Sequence, residues 1–182
     1  PYNQFSLGFK ETIDQTVCSL FQHDVLIDKN IIGSHGDGSI LKMVKLIKGL
    51  VNKNKYDVVH IHSGVTGIIF ILAIFPFKLS LLKKTVFTLH NSWDVLRPRN
   101  QFLDFIVMLA SRKVCTCGVS SRDSIPRIIN YFVGKKIKAI VNGFDHQRID
   151  SVENKKLNRS HFDKSLKIKI VYVGALNNTK NQ

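Results

Sequence analysis

Short runs of Val, Ile and Phe, apolar on both faces, recur along the chain between longer stretches of helical periodicity. This alternation constrains the fold more than any other feature. A strand buried on both faces belongs in a parallel sheet covered by helices, whereas a half-solvated strand alternates apolar with polar residues. Runs of this kind lie at 23–28, 56–62, 84–90, 114–120, 137–142 and 168–174. Strand, helix and strand in that order require crossover connections, and the expected fold is α/β, a Rossmann-like doubly wound parallel sheet.

The helices between the runs can be read residue by residue. Residues 39–52 place Ile40, Met43, Val44, Ile47 and Val51 on one stripe and Lys42, Lys45 and Lys48 off it, with Asp37 or Ser39 as the N-cap. Residues 101–112 repeat the stripe with Phe102, Phe105, Ile106 and Leu109. Residues 121–133 form a further helix that Pro126 disturbs, ending at Gly134 in a left-handed cap. The N-terminal stretch 5–21 also reads as helical. Segment 67–77 is the most apolar of all, but it is shorter than the ~20 residues of a bilayer span. It reads as a buried crossover helix, or as one whose outer side dips into a membrane surface between Lys78, Lys83 and Lys84.

Composition narrows the function classes. Among 182 residues, 44% are hydrophobic, which excludes a disordered chain, and 11 Gly, 4 Pro and 3 Cys exclude collagen and disulfide scaffolds. Few cysteines, odd in number, fit a reducing compartment. The net charge of +14 fits a solvated surface, a nucleic acid, or an anionic membrane and phosphate-bearing substrates. No nucleic-acid-binding signature accompanies it, so the expected partners exclude nucleic acid. The chain opens at Pro1 and stops at Gln182, just after a run that reads as a new unit, so a fragment of a longer protein is expected. Polar residues 151–167 read as a linker or surface excursion.

Open α/β sheets bind ligands at the carboxyl ends of their strands. That rule selects His62, Ser63 and Gly64, His90, Asn91 and Ser92, Ser120 and Ser121, Asn142 and Gly143, and Gly174. His60 and His62 share one strand face, but no third ligand of suitable spacing joins them, so no metal is expected. His60 reads as a core histidine with a satisfied hydrogen bond. His90 reads either as a donor to a sugar hydroxyl or a developing charge, or as a loop histidine without a task. Cys115 and Cys117 read as buried, inert thiols. The run ending at Gly174, with Lys180 beyond it, can hold phosphate through backbone N–H groups and an ammonium, or is simply a strand followed by an exposed lysine. Nucleophile-elbow, Walker and Gly-x-Gly-x-x-Gly patterns are missing, which weakens hydrolase, NTPase and dinucleotide readings.

Taken in order, residues 56–62, 87–91, 119–120, 140–145 and 171–181 resemble the signature series of retaining nucleotide-sugar glycosyltransferases of the family-four (group-one) type, which have the GT-B fold. The resemblance implies an acceptor-binding N-terminal domain over 1–145, a linker over 146–167, and the first strand and turn of a donor-binding domain over 168–182. It implies that His90 lies beside the transferred sugar, and that Gly174 and Lys180 meet the donor diphosphate. It also implies a nucleotide sugar as co-substrate without a metal cofactor, and a surface-polysaccharide or lipid-linked glycan acceptor at the cytoplasmic face of a membrane. Three features depart from the pattern. Ala175 stands where the family usually has Arg, the donor-domain glutamates are expected beyond Gln182, and the first strand with its Gly-rich loop, expected before the 5–21 stretch, lies upstream of Pro1 or is lost. The alternative reading is a non-catalytic remnant or acceptor-binding module.

Overall fold

The computed structural model describes residues 13–21, 32–141 and 143. The chain divides into a unit of residues Pro1–Val141 and a unit of residues Asn142–Gln182. Runs 23–28 and 168–174, the linker, and site residues Asn142, Gly174 and Lys180 lie outside the described residues.

The first unit is α/β and all its described strands are parallel. Strands β1 (Thr16–Ser19) and β2 (Ile32–His35) form one pair. Strands β3 (Val59–Ile61), β4 (Thr85–Leu89), β5 (Lys113–Thr116) and β6 (Ile137–Ala139) form a four-stranded sheet in that order. Helix α1 (Ile40–Lys53) precedes β3, and α2 (Gly64–Ile74) links β3 to β4. Helix α3 (Pro98–Ala110) links β4 to β5, and α4 (Val119–Asp123) and α5 (Arg127–Val133) link β5 to β6.

Local chemistry explains the helix ends. Ser39 caps α1 by accepting from the Lys42 N–H, while Asp37, at φ 51°, holds the preceding turn with Lys42 Nζ at 3.3 Å. Ser63 caps α2 through the Thr66 N–H. Met43, Ile47 and Val51 of α1 are buried, as are Phe87, Leu89 and Val114 of the sheet. Each such side chain contributes ~1.5–3 kcal/mol by leaving water. Helix α2 packs against both α1 and α3. Its Gly67 faces Val107 so closely that a Cβ there would lie 2.5 Å from a valine methyl. The most apolar segment is therefore a crossover helix with a buried interior.

Several expectations need correction. Residues 16–19 are a strand, because β-branched Thr16 and Val17 pair with β2 in place of continuing a helix. Among the described residues the strands fall into two parallel sets, β1–β2 and β3–β6. A groove of about 600 Å³, lined by β1, α1 and β3, lies between the two sets. The 121–133 helix is two helices, broken at Ser124–Pro126, because proline lacks an N–H and its predecessor avoids the helical region. Gly134 is right-handed, at φ −55° and ψ −38°, and leads into a 3₁₀ turn. Strand β5 stops at Thr116, so Ser120 belongs to α4 and not to a strand exit.

Candidate functional site

Parallel pairing in register brings the carboxyl ends of the sheet to one edge. Ile61 pairs with Phe87, Leu89 with Thr116, and Thr116 with Ala139. His62, His90 and Cys117 each follow a strand at that edge. Their side chains form a chain of contacts. His62 Nδ1 and His90 Nε2 share a hydrogen bond at 2.8 Å, and Cys117 Sγ lies 3.4 Å from His90 Nδ1. The His62 and His90 rings stack with centroids 5.1 Å apart, and His60 tilts over His62 at 4.1 Å.

With both rings neutral, each carries a single N–H, so the relay runs one of two ways. Either the thiol donates to His90 and His90 donates to His62, or His62 donates to His90 and His90 donates to sulfur. In both, His90 spends both ring nitrogens on protein neighbours. A substrate hydroxyl that bonds to His90 must displace one of them. His62 is kept neutral: enclosure by its neighbours, then the nearby His60 and His90, push its pKa down to about 4, although part of the ring meets solvent. Enclosure by its neighbours, then His90, lowers the His60 pKa as well, although part of that ring also meets solvent.

The loop after β4 is pinned from below. Ser121 Oγ donates to the Asn91 carbonyl at 3.1 Å, and the Trp93 N–H donates to Ser124 Oγ at 2.8 Å. Gln101 adds a bond to the Trp93 carbonyl, and Trp93 itself is buried. These contacts hold His90 and Asn91 at the mouth of a cavity of about 130 Å³.

Five sequence-selected residues, His62, Ser63, Gly64, His90 and Asn91, line that cavity together. Ser120 does not line it; the neighbouring Ser121 is the one that meets Asn91. His60 is exposed, so it is no core histidine, but it does satisfy its hydrogen bond, with Thr88 Oγ1 at 2.7 Å. It faces the larger groove. Cys117 is half-buried rather than buried, with its Sγ 3.4 Å from His90 Nδ1. Cys115 remains half-buried, and its pKa is raised chiefly by burial.

Three polar lining residues, Thr88, Asn100 and Asp104, were not legible as functional. Asp104, from the middle of α3, is only 7% exposed, and its carboxyl is pushed up to about 6 by burial, offset in part by a hydrogen bond from the Gly64 N–H. Asn100, one turn earlier on α3, lines the cavity too. No cluster of three or more His, Cys, Asp or Glu suited to a metal ion occurs among the described residues. The site offers two imidazoles, two amides, the hydroxyls of Ser63 and Thr88 and one carboxylate, a set suited to hydrogen-bonding a hydroxylated molecule.

A family model described as Glycosyltransferase Family 4 matches residues 20–148, a span that contains every residue of this cavity. The comparison with curated proteins gave no match.

Proposed function

The chain belongs to glycosyltransferase family 4, and on that premise we propose that it forms the acceptor side of an enzyme that transfers a sugar, with retention, from a nucleotide sugar to a surface-polysaccharide or lipid-linked glycan. The observation that carries this reading is the convergence of His62, Ser63, His90 and Asn91 on one cavity at the carboxyl edge of the sheet.

The chemistry runs through charge. Breaking the anomeric bond to a diphosphate leaves positive charge on the sugar and negative charge on the leaving group. His90 serves the sugar side, donating to or accepting from a hydroxyl more strongly in the transition state than in the ground state. Gly174 and Lys180 serve the diphosphate, with Lys180 acting as a point charge because Ala175 offers no guanidinium. No resident cofactor or metal takes part in this scheme.

A cytoplasmic enzyme resting on the inner face of a membrane suits a lipid-linked acceptor. Beyond the buried part of α2, Leu72, Phe75, Phe77 and Leu79 are exposed beside Lys78, Lys83 and Lys84. Apolar side chains ringed by lysines favour an anionic lipid interface. No helix among the described residues is long and apolar enough to cross a membrane.

The test is a transfer assay with a panel of radiolabelled nucleotide sugars and lipid-linked or polysaccharide acceptors, followed by NMR of the product's anomeric configuration. Label in the acceptor with retained configuration supports the reading, and an inverted product overturns the retaining step. Acceptor binding without transfer under every donor favours the non-catalytic module. Sedimentation with anionic vesicles that weakens as salt rises supports the membrane arm, and its absence removes it.

A further inference from the structure

Asp104 is more elaborate than a brace. The first turn of α2 already has a cap in Ser63, whose hydroxyl accepts from the Thr66 N–H. Asp104 adds a carboxylate beside it, bonded to the Gly64 N–H and otherwise facing the cavity that His62, His90, Asn91 and Asn100 line. No Lys or Arg forms an ion pair with it among the described residues. Burying a carboxylate without a cation is costly, and burial is what raises its pKa. The packing also reserves the space, because a Cβ on Gly64 would collide with Asp104 Oδ1 and the Asp104 backbone nitrogen.

A carboxylate that shares a cavity with two amides and two imidazoles can accept from hydroxyls while the amide N–H groups donate to them. The same carboxylate penalises any second anion brought into so small a cavity, since like charges there must either repel or neutralise. We propose that this cavity is a monosaccharide subsite for a neutral, hydroxylated sugar ring, in which Asp104 accepts a hydrogen bond from a ring hydroxyl and excludes carboxylated and phosphorylated sugars. The assignment of the ligand to a sugar rests on the glycosyl-transfer reading. The selection against anions rests on the geometry of the cavity.

The experiment is saturation-transfer NMR on the 182-residue chain. The probes are the methyl glycosides of glucose, galactose, mannose and N-acetylglucosamine, set against methyl glucuronide, methyl galacturonide and glucose 6-phosphate. Wild type should bind at least one neutral glycoside tenfold or more tightly than its uronate counterpart. Binding should weaken several-fold from pH 7.5 to 5.0 as Asp104 takes up a proton. His62 and His90 are the other titratable groups lining the cavity, so Asp104→Asn separates their contribution. The variant keeps an oxygen for the Gly64 N–H and is required to melt no lower than wild type. It should lose the discrimination against uronates and flatten the pH profile. Discrimination and pH profile unchanged in Asp104→Asn overturn the role of Asp104. Equal binding of uronates and neutral glycosides by wild type overturns it without any variant. Wild type that binds no neutral glycoside overturns the subsite, and if sugar transfer persists in the assay above, glycosyl transfer still stands. If transfer fails with every donor while neutral glycosides bind selectively, the subsite stands and the transferase reading falls.

Discussion

Helices α2 and α3 approach each other through two glycines three residues apart, and the two contacts do opposite work. Gly67 meets the methyls of Val107, and Gly64 meets the carboxylate of Asp104, again three residues apart on the facing helix. The first contact lies among buried Ile69, Phe70 and Met108 and is packing alone. The second lies one turn nearer the carboxyl edge of the sheet and opens onto the cavity with His62 and His90. One close-packed interface therefore carries core at one end and chemistry at the other. The difference comes from where the helices meet the strand ends, since the strand-end rule marks only the Gly64 end as a place for ligands.

The two contacts should break differently. Gly64→Ala has the largest expected effect, because its new Cβ meets the Asp104 backbone nitrogen at 2.8 Å as well as the side chain. We expect a loss of about 3 kcal/mol, read as a fall in melting temperature of roughly 6–12 °C. Truncating Asp104 as well should not restore it, since backbone cannot be trimmed. Full rescue by Asp104→Ala would show that the contact is side-chain packing like its neighbour. Gly67→Ala should cost about 1–3 kcal/mol, because only valine methyls stand in the way. Adding Val107→Ala should recover part of that loss in thermal melts. A double variant less stable than the sum of both singles would contradict the packing account.

Asp104→Asn sharpens the contrast through pH. Burial raises the folded-state pKa to about 6 from 3.8, so the folded protein pays for the charge above that window and is relieved as pH falls through it. Removing the charge should stabilise the protein by roughly 1–2 kcal/mol at pH 7.5 and by nothing at pH 3.5. His62 works in the other direction. Its folded-state pKa of about 4 lies below the ordinary histidine value, so wild type loses stability as pH falls from ~6.5 toward 4. Paired pH melts of Asp104→Asn, His62→Gln and wild type separate the two. An Asp104→Asn curve parallel to wild type would contradict the assigned burial cost.

The sequence announced one end of this interface better than the other. Apolar runs marked β3, β4, β5 and β6, and the strand-end rule led from them to His62, Ser63, His90 and Asn91. Nothing local distinguishes Asp104. It sits mid-helix between Leu103 and Phe105, where an acidic residue ordinarily faces water, and only the fold brings Gly64 against it. Cys117 escaped because the run 114–120 looked like one strand, whereas β5 ends at Thr116 and turns the thiol toward His90. Helical periodicity over 5–21 outweighed the β-branched residues at 16–17, since partner strands are invisible to a local pattern. His60 was expected in the core on the strength of its apolar neighbours. Its exposure now places His60→Ala among small effects, about 0.5–1.5 kcal/mol for one hydrogen bond, measurable by chemical denaturation.

His90 should move stability little and function most. It is exposed, and its contacts with His62 and Cys117 hold a relay rather than a core. The rate of sugar transfer by His90→Ala, measured beside its melting temperature and with the donor that the transfer assay identifies, tests the central claim directly. Loss of a contact strengthened in the transition state should lower the rate about tenfold to a hundredfold, with the melting temperature within ~2 °C of wild type. Full transfer activity, or a collapse in melting temperature like that of Gly64→Ala, would show that the carboxyl edge of this sheet is scaffold and that the chemistry lies elsewhere.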